Sequence, residues 1–305
     1  MKTDTVIHIP VLLEQSIELL DINANDVVVD GTFGGGGHSA LLLETEPSIT
    51  LICTDLDESA EKRFHTRFDG KKNVHFVHSN FKDADKILET VGMQSVNKVL
   101  LDLGTSTFQL LADERGFSFN SDTPLAMTFS TTGSHTGFTA YDIVNTWAES
   151  SIADIIYGYG EETKARIIAK AIVEARKESL IKTSLQLASV IEAVIPQRYK
   201  PNHGGKRIHP ATKTFQALRI AANDELGVIK EALDNWWARL LPGGRIAVIT
   251  FHSLEDRVVK QWMTNSELEN KRVITKKPIP PSEENLQENP RARSAKLRVI
   301  EKTIE

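Results

Sequence analysis

Short runs of β-branched and aliphatic residues alternate with amphipathic stretches through the first third of the chain. Val27–Asp30 is apolar up to its terminal acid and runs into a glycine-rich turn, after which a helix is expected from Ser39–Leu43. Ile49–Thr54 predicts a second strand closing on Asp55, followed by a helix over Ser59–Phe68. Val74–Val77, Lys82–Val91 and Lys98–Asp102 continue as strand, helix and strand. Alternation at this spacing predicts right-handed βαβ units and a parallel sheet covered on both faces.

The rhythm stops after Gly104. As far as about Gly137 the chain is rich in Ser, Thr, Gly and Phe without a clean period, and from Ala140 to Ile195 it reads as helical throughout. The predicted helices are Tyr141–Trp147, Ser151–Tyr157, Glu162–Arg176 and Thr183–Val194, with Thr183 as an N-cap. Ala211–Leu240 then predicts one long helix, with Phe215, Leu218, Ala222, Leu226 and Ile229 at spacings of three and four. The LPGG turn at 241–244 leads into a strand at Arg245–Phe251 and a helix beginning near Ser253, and 272–277 and 296–302 close as an antiparallel pair. The expectation is an α/β fold in which residues 1–104 and 206–305 form one discontinuous domain and 105–205 an inserted all-helical domain. Such an insertion sits at the carboxyl edge of a parallel sheet, where ligands of these folds bind.

Composition narrows the classes. The 305 residues are 40% hydrophobic and 25% charged, which is ordinary for a globular chain and excludes disordered and fibrous classes. The lone Cys53 rules out an intramolecular disulfide framework and a thiolate zinc site, and suits a reducing compartment. No apolar run approaches the ~20 residues of a membrane helix, and Asp4, Glu14 and Glu18 do not belong in a secretory signal, so a cytoplasmic protein without membrane contact is expected. The net charge of −5 argues against whole-surface attraction to nucleic acid. Segment 198–219 nevertheless carries Arg198, Lys200, Lys206, Arg207, Lys213 and Arg219 with no acid, and 271–305 carries nine basic residues against five Glu. These read either as solvated loops or as patches for a polyanion.

The strongest local feature is DGTFGGGGHSA at 30–40. Glycines between a strand and a helix let the backbone approach a ligand and aim helix N–H groups at it. Gly35, Gly37 and Ala40 satisfy the dinucleotide pattern G-x-G-x-x-A, with Asp55 placed for a ribose hydroxyl, so an NAD-dependent dehydrogenase is one reading. Asp30 at the entrance of the loop favours another. A carboxylate there repels a pyrophosphate but suits the ammonium of S-adenosylmethionine, which carries ribose, adenine and an amino acid but no phosphate. Phe81, in HSNF at 78–81, would pack on the purine or anchor the following helix in the core. Asp102 opens DLGTSTFQL at 102–110, either as a functional acid where a donor meets its acceptor or as a turn initiator. His252, Ser253 and Asp256 do not make a catalytic triad: Ser253 is expected to cap the helix, with acids in its first turn. His203 and His209 lack a third ligand, no metal is expected, and Trp236 and Trp237 are assigned to the core.

These residues, with HIPVLLEQ at 8–15, RGFSF at 115–119, HPATKTFQALRIAANDEL at 209–226, TFHSLEDRVVK at 250–260 and NPRARSAKLR at 289–298, resemble the family of ribosomal RNA small subunit methyltransferase H over nearly the whole chain. The resemblance implies a Rossmann-like class I methyltransferase sheet with a helical insertion that recognises substrate. It also implies S-adenosylmethionine-dependent N4-methylation of a cytidine in the decoding region of 16S ribosomal RNA. The family's donor contacts fall on Gly36, Gly37, His38, Asp55, Phe81, Asp102 and Gln109. Asp102, or a carbonyl or hydroxyl within Gly104–Ser106, would accept the amine proton, with Asp102 as donor ligand the competing role. Arg115 and Phe117 would hold the flipped cytidine and a phosphate, or simply pack their loop, and Arg207, Arg291, Arg293 and Lys296 would track the RNA backbone.

The chain departs from the family in two places. Thr107-Phe108 replaces Ser-Pro, and Ala126 and Thr128 replace an Asp and an Arg. The second change leaves open a protein that keeps the donor pocket without turnover. The oligomeric state, a homodimer included, is also left open.

Overall fold

The structure is a computed structural model that describes residues 10–104, 115–130, 136–195, 202–203, 206–207 and 209–304. It divides into two compact units, Met1–Phe108 with Leu226–Glu305, and Gln109–Glu225.

The first unit is built on a seven-stranded sheet. Strands β1 (Val27–Asp30), β2 (Thr50–Asp55), β3 (Val74–His78), β4 (Val96–Asp102) and β5 (Leu240–Thr250) are parallel neighbours in the order β3-β2-β1-β4-β5. The final strand, β7 (Lys296–Lys302), runs antiparallel beside β5, and β6 (Lys271–Val273) pairs on its far side. This order, with one reversed strand slotted between the fifth and sixth, is the expected class I methyltransferase sheet. It differs from the 3-2-1-4-5-6 order of dinucleotide-binding folds, which removes the structural basis of the dehydrogenase reading.

The strands are apolar at successive positions because both faces are covered. Val28, Leu51, Leu100 and Ala247 pack with α1 (Leu13–Leu20), α2 (Gly37–Thr45) and α3 (Glu58–Phe68). Their neighbours Val29, Ile52, Leu101 and Val248 pack with α4 (Ala84–Val91) and with Trp236, Val259 and Trp262 of two later helices. Trp236 is fully buried and its indole N–H donates to the Phe81 carbonyl at 2.7 Å, so the tryptophan pair does belong to the core.

The second unit contains α5 (Ala140–Thr146), α6 (Glu149–Gly160), α7 (Ala165–Glu178), α8 (Ser184–Val194) and α9 (Thr212–Asn223) around a core that includes Ile143, Ile156, Ile172, Leu187 and Leu218. Thr183 caps α8 as anticipated, in a capping box with Gln186. Among the described residues, a two-residue ladder, Asn202–His203 with Lys206–Arg207, an isolated Pro124–Thr183 bridge and the irregular 115–130 depart from the all-helical expectation. The unit also runs on to Glu225, past the boundary expected at residue 205, because α9 packs against α5 and α6.

Three sequence-based boundaries shift for local reasons. The long helix anticipated at Ala211–Leu240 is two, α9 and α10 (Glu225–Arg239), because Asp224 adopts the left-handed conformation at φ 46° and its N–H closes on α9 carbonyls. The LPGG turn is absorbed into β5: Leu240 pairs with Val96 and Arg245 with Lys98, so the intervening residues bulge. A Cβ on Gly244 would lie 2.6 Å from the Asn97 carbonyl oxygen, which explains the glycine. At the C-terminal end only Lys271–Val273 and an isolated Ile279–Leu297 bridge pair with β7, not the whole of 272–277.

Candidate active site

Asp55, Asp30 and Asp102 end the adjacent strands β2, β1 and β4, so all three carboxylates gather at the carboxyl edge of the sheet. They lie where the strand order reverses, the ligand site of open α/β sheets. The glycine segment after β1 is pinned to both flanking strands. The Gly31 N–H donates to Leu100 O at 2.9 Å, Phe33 N–H to Thr54 O at 3.0 Å, and Gly34 N–H to Asp55 Oδ2 at 2.8 Å. The Asp102 N–H donates to Thr32 Oγ1 at 2.7 Å, tying the loop to the end of β4. Gly36 caps α2 at φ 71°, with the buried Phe33 ring beneath it: a Cβ there would lie 2.6 Å from that ring. Phe33 in turn packs edge-on against Phe64, Phe68 and Phe76.

The acids differ in what they face. Asp30 is only 1% exposed and lies behind the loop, accepting from Ser39 Oγ at 2.6 Å and from Thr32 N–H at 3.2 Å. Asp30 was expected to meet a ligand ammonium directly or through water; here both oxygens also support the loop, through Thr32 N–H and Ser39 Oγ. Burial, with a smaller push from the Asp55 charge, raises its pKa to about 6 against the Ser39 and Thr32 hydrogen bonds. Asp55 is half-buried, and burial raises its pKa although the N–H groups of Asp57 and Gly34 bind the charged form. Asp102 is raised well above the ordinary carboxylate range by burial and then by the charges of Asp30 and Glu255. Its Oδ2 lies 3.7 Å from His38 Nδ1, while Oδ1 is buried and accepts no hydrogen bond from any described residue. The buried His38 also meets the Val11 carbonyl at 3.3 Å through Nε2. An orphaned acceptor in a crevice of raised acids is a group awaiting a donor or a cation.

The loop that follows β4 is buttressed from β5. The Phe251 ring lies 3.1 Å from where a Cβ on Gly104 would stand. Phe251 is held by α11 (Ser253–Thr264), whose Glu255 is buried and accepts from Phe251 N–H at 2.7 Å and His252 N–H at 3.2 Å. The N-cap is therefore His252, in a capping box with Glu255, and not Ser253 as expected. Glu255→Ala strands two half-buried N–H donors and is expected to lower the unfolding free energy by about 1–3 kcal/mol, read from urea titrations. Glu255→Gln, which keeps an amide oxygen, should recover roughly half of that.

Phe81 is half-buried, packs on the core cluster of its sheet face and, through its carbonyl, receives Trp236. Its anchoring role is thus directly visible. Gly36, Gly37 and His38 form the first turn of α2 and its cap, beside Asp102. Ser106 and Gln109 lie outside the described residues, and the side chains of Arg207 and Arg291 likewise. Thr32, Ser39 and Glu255 were missed as site supports. Thr32 and Ser39 stood within the glycine motif but carry no signal beyond a short polar side chain, and Glu255 was read only as a first-turn acid.

The anticipated RNA contacts fare unevenly. Phe117 is 8% exposed and stacks on Phe129 at 5.7 Å, a core residue of the second unit. Arg115 donates to the Phe129 carbonyl at 2.6 Å and lies over the Phe117 ring. For both residues these contacts are the loop packing that was the alternative to holding a base or a phosphate. Lys296 pairs with Asp256 at 3.0 Å, beside the buried Arg298–Asp256 bond at 2.6 Å; those two bonds outweigh burial and hold the Asp256 pKa below its ordinary value. Arg219 binds Glu225 through two hydrogen bonds, and Lys213 binds the Glu161 carbonyl. Arg293 is exposed. His209, set aside as a metal ligand, stacks on Phe119 at 4.1 Å and meets Glu192 at 2.9 Å. The altered loop at 126–128 is held without an ion pair, by Asn223, which donates to Met127 O at 2.7 Å and accepts from Phe129 N–H at 2.9 Å.

Residues 5–303 match the model of the MraW methylase family. A protein of Coprothermobacter proteolyticus named ribosomal RNA small subunit methyltransferase H is 45% identical over 303 residues, 99% of this chain and 98% of its own. Proteins of the same name from Caldicellulosiruptor bescii and Deinococcus deserti are 43% and 42% identical, covering 97% and 99% of this chain and 99% and 95% of theirs.

Proposed function

From the premise that the chain belongs to the MraW methylase family, we propose that it transfers a methyl group from S-adenosylmethionine to N4 of a cytidine in the decoding region of 16S ribosomal RNA. The observation that carries the donor is the crevice itself: Asp30, Asp55 and Asp102 gathered around a glycine loop, their pKa values raised by burial first and then by neighbouring acids, Asp55 on Asp30, Asp57 on Asp55, and Asp30 and Glu255 on Asp102. A sulfonium nucleoside with an ammonium group relieves that repulsion, whereas a pyrophosphate adds to it. The relatives are named for small-subunit ribosomal RNA, the cytidine N4 acceptor is what the family resemblance implies, and cytoplasmic action follows from such a substrate. Among the described residues no helix is long and apolar enough to cross a membrane.

In this reading Asp55 takes the donor's ribose hydroxyls, Gly36 and Gly37 bring backbone against its amino-acid end, and Phe81 borders the adenine. The positively charged sulfur makes the methyl carbon electrophilic. Asp102 Oδ1, the orphaned acceptor, binds an N4 hydrogen of the cytosine and draws the amine lone pair out of conjugation. As the N4–carbon bond forms, the carbon–sulfur bond breaks and its electron pair stays on sulfur as a thioether, while the N4 proton passes to the Asp102 carboxylate. The raised pKa makes that carboxylate a better acceptor than an exposed one. The protein's share is alignment of the displacement, and positioning of this kind supplies about 7–11 kcal/mol in favourable cases. No metal enters this chemistry.

Methyl transfer from labelled donor to undermethylated small ribosomal subunits tests the proposal. N4-methylcytidine should appear in the 16S RNA digest at one position. Absence of label from both subunits and naked 16S RNA, with the donor bound, would leave a binding protein and overturn the enzyme.

A further inference from the structure

The glycine loop has supports that its own motif does not contain. Arg63 and Arg67 stand four residues apart on α3, hence on one face of it. Arg63 Nε donates to the Gly34 carbonyl at 2.8 Å, and Arg67 Nη1 donates to the Gly36 carbonyl at 2.7 Å. Arg63 is itself set by Ser59 Oγ at 2.7 Å and Asp57 at 3.8 Å. A peptide group is planar and trans, so fixing a carbonyl fixes the N–H of the next residue in the opposite direction. Holding Gly34 O and Gly36 O toward α3 therefore turns the Gly35 and Gly37 N–H groups away from it. Glycine is the residue with the most backbone freedom to lose, and in the run Gly34–Gly37 the arginines complete a set of ties begun by Gly34 N–H on Asp55, Gly36 N–H on Phe33 O and Ala40 N–H on Gly36 O.

We infer that Arg63 and Arg67 are positioning residues for the methyl donor: they clamp alternate carbonyls of the glycine loop and thereby set the direction of the N–H groups offered to the ligand. This rests on the donor reading above. The arginines touch neither donor nor acceptor; they remove the conformational cost of ordering the loop when the donor arrives. Their effect belongs to donor affinity and leaves acceptor binding alone.

Titration calorimetry with S-adenosylhomocysteine and methyl-transfer kinetics on undermethylated subunits, run on wild type, Arg67→Met, Arg63→Met and Arg67→Lys, test it. Arg67 is exposed, so Arg67→Met should fold with an unchanged melting temperature. The expected result is a roughly tenfold weaker donor Kd and higher donor KM for either Met variant, the worth of one charge-assisted hydrogen bond. Subunit KM and the rate at saturating donor should stay near wild type, and Arg67→Lys, which retains an N–H donor, should recover most of the affinity. Unchanged donor affinity in both Met variants, an equal loss toward donor and subunits, or no recovery with Lys overturns the inference. A wild-type protein that binds no S-adenosyl compound removes the donor reading and this inference together.

Discussion

Asp102→Asn is expected to lower the turnover number by about two to three orders of magnitude, the worth of a well-placed proton acceptor, while donor affinity changes by no more than a few-fold. The amide keeps the shape of the carboxyl and one acceptor oxygen. It can hold an N4 hydrogen in place but cannot take the proton as positive charge develops. The electrostatics sharpen the expectation. Burial and the charges of Asp30 and Glu255 raise the Asp102 pKa, and removing its charge relieves that crowding, so the variant should fold at least as stably as the parent. A large loss of activity cannot then be assigned to misfolding. Single-turnover rates with saturating subunits, set beside calorimetric donor Kd values, separate the two roles. Intact donor binding with collapsed chemistry keeps Asp102 as the acceptor of the proton. Lost donor binding moves it to the amino-acid end of the donor, and the proton must then leave through another group.

The sheet could be read from the chain because its strands are uniformly apolar and end in polar punctuation, as at Val27–Asp30 and Thr50–Asp55, and because helices of matching period separate them. The antiparallel final strand at Lys296–Lys302 was likewise expected, as one member of a closing pair. Elements set by one backbone angle were not. Asp224 carries no stronger local signal than other helical acids, yet its left-handed φ divides a continuous amphipathic pattern in two. Within the site, the glycine loop and its acids were evident, since strand-end placement is a property of sequence order. What each acid faces depends on contacts between distant segments, such as Ser39 with Asp30 and Thr32 with Asp102, and no spacing rule reports these. The basic segments misled for a related reason. Lys296 and Arg219 look unpaired in sequence because Asp256 and Glu225 meet them only through the fold or a helix turn.

Acidification should stabilise the ligand-free protein and shrink the increment that the donor adds. In the folded chain Asp30 has a pKa of about 6 against an ordinary 3.8, so between these values the folded state holds a proton that the unfolded chain has released. Folding stability therefore falls as pH rises from about 4 through 6 and is flat beyond, an Asp30 contribution of about 3 kcal/mol that is present at low pH and lost at neutrality. Asp55 and Asp102 are raised as well and add to the same trend, Asp102 over a window reaching to higher pH. Asp256 and Glu301 have the opposite sign. Burial raises them, but their arginine and lysine partners outweigh it and depress both, so the stability they supply is lost only below the ordinary carboxylate range, beneath this window. A cationic donor prefers the ionised acids and must expel the proton that the empty site retains. Its affinity is expected to weaken by up to about tenfold between pH 7 and pH 5 from Asp30 alone, and further from Asp55. Thermal melts with and without S-adenosylmethionine across pH 5 to 8 would show the free protein gaining stability toward acid while the donor-induced shift shrinks. In Asp30→Asn the free-protein profile should flatten between about pH 4 and 6. A donor-induced shift that stays constant across the range would mean that these carboxylates are not the partners of the donor's charge, and the crevice would lose its claim as the place where the sulfonium is held.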